Sequence, residues 1–322
     1  MSKANFLPGN IGLAPMAGVT DYPFRKLCLQ HGAYFAFTEM ISAKSVIINV
    51  KINEIYFPRQ DEKDRVGVQL FGSDYAELSE AAAIVQEKGL WVDLNAGCPV
   101  SKVIKKGAGS ALLKDLGEFR KVVRAMRSVL KRFTVKTRIG WEKDEFEKIY
   151  NILLEENVDA VFVHGRTAKQ MYSGKATWKI YNPGFVPLYI SGDIYTKEDI
   201  KNAMEQSGAT GVIVARGSIG NPWIFSEIGE PNCEQRLCTI LKHLEYLYDE
   251  YKDYGAVVFR KFVAGYTKNM LGARDFRDKV MKIRKLEELS SEFQKFFYEN
   301  CYKQEFRKEQ KISDILNQTC GN

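Results

Sequence analysis

One cysteine stands where an apolar run ends, in Val92-Asp93-Leu94-Asn95-Ala96-Gly97-Cys98-Pro99, and a glycine-rich stretch, Gly107-Ala108-Gly109-Ser110, follows it. A thiol has a reference pKa of about 8.5, so near neutral pH it can serve as a nucleophile or as a general acid. The competing reading is a small buried hydrophobe, the usual fate of a lone cysteine in a core strand. Asn95 and Cys98 fall where strand gives way to loop, and Pro99 biases Cys98 towards an extended backbone. Lys136 protrudes from the end of another apolar run, where an unpaired cation is costly. It must meet an anion, either Glu39 in a salt bridge or something bound. His164 closes a third run and is either a site residue or a satisfied core histidine.

Short β-branched and apolar runs recur at regular spacing and are the elements that must position these groups. They are Ile11–Met16, Ala33–Met40, Val66–Phe71, Val92–Asn95, Thr134–Arg138, Ala160–His164, Leu188–Ser191 and Gly211–Ala215. Near-continuous hydrophobicity predicts parallel strands buried on both faces. Amphipathic stretches such as Asp74–Glu87 and Glu118–Leu130 lie between them. Eight strand–helix units over about 225 residues predict an α/β fold, a (β/α)8 TIM barrel. An open doubly wound sheet is the alternative, but it usually carries a glycine fingerprint after its first strand, and Pro15-Met16-Ala17 is not one.

Barrel sites are built at strand ends. Met16, Gln69, Asn95, Lys136, His164, Gly192 and Gly217 all fall there. Loops after strands seven and eight commonly hold a phosphate on backbone N–H groups, and Gly192-Asp193 and Arg216-Gly217 occupy those places. Two ordinary glycine turns are the plainer account of the same residues.

The cysteine segment resembles the signature of the flavin-dependent tRNA-dihydrouridine synthases in Asn95-x-Gly97-Cys98-Pro99, Val103 and Gly109-Ser110. The resemblance continues in Ala14–Asp21, Gln69–Gly72, Val135–Arg138, Val163–Thr167, Ser191–Ile194 and Ala215–Gly217, in family order over roughly residues 11 to 225. It implies reduction of the C5=C6 bond of tRNA uridines to 5,6-dihydrouridine, with FMN as cofactor and NADPH, or NADH, as reductant. Hydride would reach uracil C6, and Cys98 would protonate C5; the residues alone leave a nucleophilic role open. The FMN set implied is Pro15, Met16, Ala17, Gln69, Lys136, His164, Ser191, Gly192, Asp193, Ala215, Arg216 and Gly217. Lys136 would face the flavin N1/O2 edge, and Gln69 the imide edge. Asn95, His164 and Arg166 are the candidate donors to the uracil carbonyls. The loop Thr167–Gly174, with Trp178, would cradle the flipped nucleotide.

Beyond Gly229-Glu230-Pro231-Asn232 the pattern turns helical, through Arg236–Tyr251, Ala256–Met270, Arg277–Lys285 and Glu287–Phe306. These boundaries predict a catalytic barrel over 1–230, an all-helical domain over 233–310 and a loose tail over 311–322. Residues 254–286 hold nine Lys/Arg against two Asp, which accounts for the whole net charge of +7. Phe259, Phe262, Tyr266 and Phe276 interleave with them, a mixture suited to a polyanion with exposed bases. A solvated helix face is the alternative. Arg260-Lys261 and Tyr266 resemble a family element, so Arg260 and Lys261 are candidate tRNA contacts.

No apolar leader opens the chain and no run approaches a membrane span. We therefore expect a cytoplasmic monomer that binds tRNA and no membrane. The six cysteines, at 28, 98, 233, 238, 301 and 320, show no framework spacing. Free thiols and no metal are expected. Two other classes compete: a flavin barrel acting on a small pyrimidine, like the dihydroorotate dehydrogenases, and a catalytically silent RNA-binding barrel. The basic helical appendage argues against the first, and Cys98, Lys136 and the phosphate loops against the second. The sequence does not specify which uridine is modified.

Overall fold

The computed structural model describes residues 6–227 and 229–301, without the side chain of residue 52. The chain divides into two compact units. One comprises the residues up to Ser218 with Ile224–Ser226; the other comprises Ile219–Trp223 with the chain from Glu227 onward.

The first unit is built on nine short strands: β1 (Ile11–Leu13), β2 (Ala36–Phe37), β3 (Ile41–Ser42), β4 (Val66–Phe71), β5 (Val92–Ala96), β6 (Phe133–Arg138), β7 (Ala160–His164), β8 (Leu188–Ser191) and β9 (Gly211–Val214). All pair in parallel, in the order β1-β9-β8-β7-β6-β5-β4-β2, with β3 beside β4. A bridge between Gly12 and Phe35 brings the sheet's two ends together. The result is a nearly closed (β/α)8 barrel, as expected, and the open-sheet alternative falls because its edges would not meet. The second predicted strand is split into β2 and β3. Between them Thr38 Oγ1 accepts the Gln69 N–H at 3.1 Å, standing in for a ladder carbonyl.

Helices α1 (Tyr22–Gln30), α2 (Tyr75–Glu87), α3 (Leu116–Val129), α4 (Phe146–Glu155) and α5 (Lys197–Ser207) alternate with these strands. Their starts are written in the sequence. Asp21, Asp74 and Asp115 each accept N–H groups of the first turn, and Thr196 with Asp199 forms a capping box. Asp74 and Asp115 are thus caps, so α2 begins one residue later, and α3 two residues earlier, than periodicity alone predicts.

Side chains alternate along the barrel strands. Val68, Leu94, Val135 and Val163 join the apolar layer shared with the helices. The inward face has two storeys. Below, Phe35, Phe37, Trp91, Phe162 and Tyr189 interlock with ring centroids 4.9 to 6.1 Å apart. Above, further along the strands, stand polar groups: Asn95, Lys136, Arg138, His164 and Ser191. The strands are therefore not apolar on both faces throughout, as the hydrophobic runs had implied.

The second unit is helical: α6 (Cys233–Tyr251), α7 (Gly255–Tyr266), α8 (Ala273–Val280) and helical residues 286–301. The rest of the helix predicted to 306 and of the domain predicted to 310, like the tail over 311–322, lies outside the described residues. Phe259, Phe262, Tyr266 and Phe276 are buried and form this unit's core, with Phe259 stacked on Tyr266. That corrects the expectation that these aromatics would serve exposed bases. The helical repeat turns them to one face and the charges to the other. His243 Nδ1 lies 2.9 Å from the Tyr266 hydroxyl within this core.

The cysteines also require a correction. Cys233 and Cys301 form a disulfide with Cα atoms 6.0 Å apart, whereas Cys28, Cys98 and Cys238 are free. The partners are 68 residues apart, so no local spacing reveals the pair. Among the described residues no group of His, Cys, Asp and Glu is arranged to hold a metal, and no helix is long and apolar enough to cross a membrane.

Candidate active site

The turn after β5 fixes Cys98 from both sides. Asn95 Oδ1 accepts the N–H groups of Gly97 and Cys98, at 3.1 and 2.9 Å. The Cys98 carbonyl accepts the Ser110 N–H at 3.0 Å and its hydroxyl at 2.9 Å. Gly109 has φ +62°, and a Cβ there would lie 2.8 Å from the Cys98 carbonyl oxygen, so only glycine allows this clasp. The thiol itself is half-buried.

Beneath Asn95 lies a residue that sequence reasoning assigned no role. Asp93 is fully buried and accepts from Thr134 Oγ1 at 2.6 Å and from Gln69 Nε2 at 2.7 Å. Gln69 Oε1 in turn accepts from Asn95 Nδ2 at 2.8 Å. Burial pushes the Asp93 carboxyl up to about 7, against the lowering effect of those two donors and of Lys136. The available signal was alternation: Asp93 and Asn95 in one strand, and Thr134, Lys136 and Arg138 in the next, put polar groups at every second position of an otherwise apolar core.

Lys136 pairs in register with Asn95 across the β5–β6 ladder. No hydrogen bond or ion pair joins it to a described residue. The expected alternative, a bridge to Glu39, is not made: Glu39 instead accepts the Gly18 N–H and so braces the turn after β1. Desolvation, then Arg138, lowers the Lys136 pKa to about 8, so the ammonium is still charged at neutral pH. Arg138 is buried and spans two loops, donating to Gly97 at 2.9 Å, Thr167 at 2.7 Å and Met171 at 2.8 Å. Burial lowers its pKa to about 10, which leaves it cationic.

Across the barrel, Arg166 organises the loops after β7 and β8. Its guanidinium donates to Ser173 (3.1 Å), Gly174 (2.6 Å), both Asp193 carboxylate oxygens (3.0 and 2.6 Å) and His164 Nε2 (3.2 Å). All five of its donors are then engaged. Arg166 was expected among the donors to a bound carbonyl; in this arrangement it has none left and acts as a strut. Asn95 is similarly committed, with its second N–H directed at the Met40 sulfur 3.6 Å away. His164 keeps Nδ1 clear of any hydrogen bond with a described residue. Burial, reinforced by Lys136, Arg138, Arg166 and Arg216, lowers its pKa to about 2, so the ring is neutral.

Asp193 also accepts the Ala176 N–H at 2.8 Å and pairs with Arg216 at 3.5 Å. Partial burial raises the Asp193 carboxyl, but the donors from Arg166 and Ala176 and the charges of Arg166 and Arg216 together bring it below its ordinary value. Its charge is turned towards Arg166 and Arg216. Gly192 has φ +109°, and a Cβ there would strike the His164 ring at 2.7 Å; its carbonyl accepts the Trp178 Nε1–H at 2.9 Å. Gly217 lies against the Ile194 carbonyl, which ties the loop after β9 to the one after β8. Ser191 is buried, with its carbonyl accepting the Gly165 N–H, and Ala215 takes the Ser218 N–H. Arg216, half-exposed, lies over the rings of Tyr172 and Tyr195 at 5.1 and 5.8 Å. Pro15 and Met16 are half-buried and Ala17 is exposed in the turn after β1, where the Met16 carbonyl accepts from Val19 and Thr20.

The strand ends of the first unit thus gather one oriented thiol, a lysine with no hydrogen bond or ion pair among the described residues, a neutral histidine whose Nδ1–H is clear of them, and two glycine loops. Arg260 and Lys261 belong to the second unit. Arg260 is half-buried and donates to the Ile283 carbonyl at 3.4 Å, whereas Lys261, Lys268, Arg274, Lys282, Arg284 and Lys285 are exposed.

Comparison with known proteins gives a consistent result. The family model described as dihydrouridine synthase (Dus) matches residues 12–305. A protein named tRNA-dihydrouridine synthase B from Pseudomonas aeruginosa is 34% identical, covering 91% of this chain and 94% of its own. A probable tRNA-dihydrouridine synthase from Rickettsia bellii is also 34% identical, covering 85% and 90% respectively. One of the same name from Aquifex aeolicus is 35% identical, covering 74% and 80%.

Proposed function

This chain belongs to the dihydrouridine synthase family, and on that premise we propose that it reduces the C5=C6 bond of uridines in tRNA to 5,6-dihydrouridine, with FMN as cofactor and NADPH or NADH as reductant. The observation that carries the reading is Lys136, a charged side chain at the barrel mouth that makes no hydrogen bond or ion pair with a described residue and that therefore fits an anionic ligand edge. The other residues are compatible with FMN as well. Gln69 retains one amide N–H, Pro15–Ala17 supply apolar and backbone contact, and Ser191–Asp193 with Ala215–Gly217 lie on the loops after β8 and β9 where a barrel commonly holds a phosphate. Bound FMN would supply the hydride to uracil C6.

The remaining steps fall to the chain's own groups. The C4 carbonyl polarises the double bond, so addition at C6 leaves enolate character across C5 and O4. Cys98, a thiol held on a fixed turn, donates its proton to C5. His164 Nδ1–H is the donor available for a developing oxyanion or for the cofactor. Asn95 and Arg166 act by holding the turn and the loops. Arg216, Met171 and Tyr172 are exposed and suit a nucleotide taken out of its stack. In the second unit the exposed Lys/Arg of residues 261–285 fit the phosphates of the RNA body. The cytoplasm and a monomeric state remain part of the proposal.

The test is to purify the chain, record its absorbance spectrum, and follow NADPH oxidation with unmodified tRNA and with free uridine. A flavin spectrum and turnover on tRNA alone are expected. A colourless protein would defeat the cofactor assignment, and turnover on free pyrimidine would favour the small-substrate barrel. Mapping dihydrouridine in tRNA from cells lacking the protein would identify the position.

A further inference from the structure

A hydrogen-bond chain of fixed sense runs from the barrel interior to the cysteine turn. Thr134 and Gln69 donate to Asp93, Asn95 donates to Gln69, and Gly97 and Cys98 donate to Asn95. Each link is 2.6 to 3.1 Å long. A primary amide can face either way, so the two side-chain amides do not set this sense themselves. An ionised carboxylate only accepts. Placed at the buried end, it obliges Gln69 to present its NH2 downward and its oxygen upward, and Asn95 must then do the same. Only in that sense does an oxygen meet the N–H groups of Gly97 and Cys98.

We propose that Asp93 is the positioning residue of Cys98, acting through Gln69 and Asn95 as a two-amide relay that dictates which atom faces the cysteine turn. Asp93 touches neither the thiol nor the reacting atoms. Its negative charge does not determine the reaction; it determines the orientation of the two amides above it. With an amide in place of Asp93, both senses of the chain become comparable in energy. In the reversed one Asn95 would present NH2 to two N–H donors, and the turn would lose both hydrogen bonds. The consequence for catalysis rests on the reading of Cys98 as proton donor, but the relay can be measured with no substrate present.

Amide hydrogen exchange at Gly97 and Cys98 reads it directly, in the full chain at about pH 8, above the Asp93 value of about 7. Asp93→Asn should speed exchange at those two amides about tenfold, the worth of one local hydrogen bond, while amides within β5 and β6 keep their protection. Asp93→Asn combined with Asn95→Asp moves the carboxylate to the other end of the same chain. The new amide at position 93 and that of Gln69 can then donate upward in turn, and the carboxylate now at position 95 still accepts from Gly97 and Cys98. That double variant should return exchange to within about threefold of the parent. Unchanged protection in the single variant, or a folded double variant no better than the single, overturns the proposal. Should Asp93→Asn fail to fold, Gln69→Leu cuts the relay above an intact Asp93–Thr134 bond. It should loosen the same two amides, and unchanged exchange there is equally fatal. Loss of the relay would leave the uridine-reduction reading standing, and absence of uridine reduction would leave the exchange result readable.

Discussion

The Arg166 guanidinium donates to His164 Nε2 at 3.2 Å, and since a guanidinium has no acceptor, the histidine must carry its proton on Nδ1. One residue thus fixes the tautomer of another two positions along the chain, while its remaining donors hold Asp193 and the loop at 173–174. Histidine-selective nitrogen NMR should find His164 neutral and Nδ1-protonated down to about pH 4, in keeping with a pKa lowered to about 2. Arg166→Lys, with three donors in place of five, should release the tautomer and loosen residues 173–176. A parent His164 protonated on Nε2 would contradict the assignment.

Cys98→Ala should retain bound flavin and its reduction by NADPH but lose about 10²–10⁴ in the rate of uridine reduction, the usual worth of a general acid. Rapid-mixing kinetics of the two half-reactions separate these effects. Parent-like turnover in the alanine variant would remove the proton-donor role.

Lys136→Met should weaken FMN binding, and the parent should show why. The apoprotein lysine loses its proton above about pH 8, so affinity for an anionic ligand edge should fall as pH rises through that value. The methionine variant should bind weakly with no such inflection. Titration of apoprotein with FMN between about pH 6.5 and 9.5 checks both.

Charge reversal at Lys268, Lys282 and Arg284, all exposed, should weaken tRNA binding and reduce the slope of log affinity against log salt by about two to three. FMN reduction by NADPH should be unaffected. Arg260 is left in place because its donation to the Ile283 carbonyl gives it a structural duty. Equal slopes would mark this face as merely solvated.

His243 is buried against Tyr266, and desolvation lowers its pKa to about 3. The unfolded chain therefore binds a proton between about pH 6.5 and 3 that the folded chain refuses. Stability should fall with acid across that window by about 1.4 kcal/mol per pH unit for this group. His243→Gln, which can still hydrogen-bond and does not titrate, should flatten the slope by that amount in denaturation series at successive pH values. An unaltered slope would mean that His243 contributes nothing to it.

Much of the architecture was legible because parallel strands announce themselves. Val66–Phe71, Ala160–His164 and Leu188–Ser191 are strands with the boundaries their hydrophobicity implies. The predicted helix start at Asp74 is its cap, whereas the cap at Asp115 lies three residues before the predicted start at Glu118. The site was legible as residue types, less so as duties. Asn95 and Arg166 have the chemistry of substrate donors, yet neighbours that only folding supplies occupy their hydrogen-bonding groups. Alternation could place Asp93 on the inward face, but its duty was not legible because its partners Gln69 and Thr134 are 24 and 41 residues distant. The aromatics of residues 259–276 could be assigned to a core or to a nucleic acid by composition alone, and only the packed helices decide that. Nothing local couples Cys233 to Cys301.

The interlocked rings of Phe35, Phe37, Trp91, Phe162 and Tyr189 fill the lower barrel, so a ligand of Cys98, Lys136 and His164 would be met at the strand ends. On the proposed function, a reductant and a nucleic acid that both meet the site at those strand ends would take turns. The electrons would wait inside between visits. The order of events would then be imposed by a floor of five rings that takes no part in the chemistry.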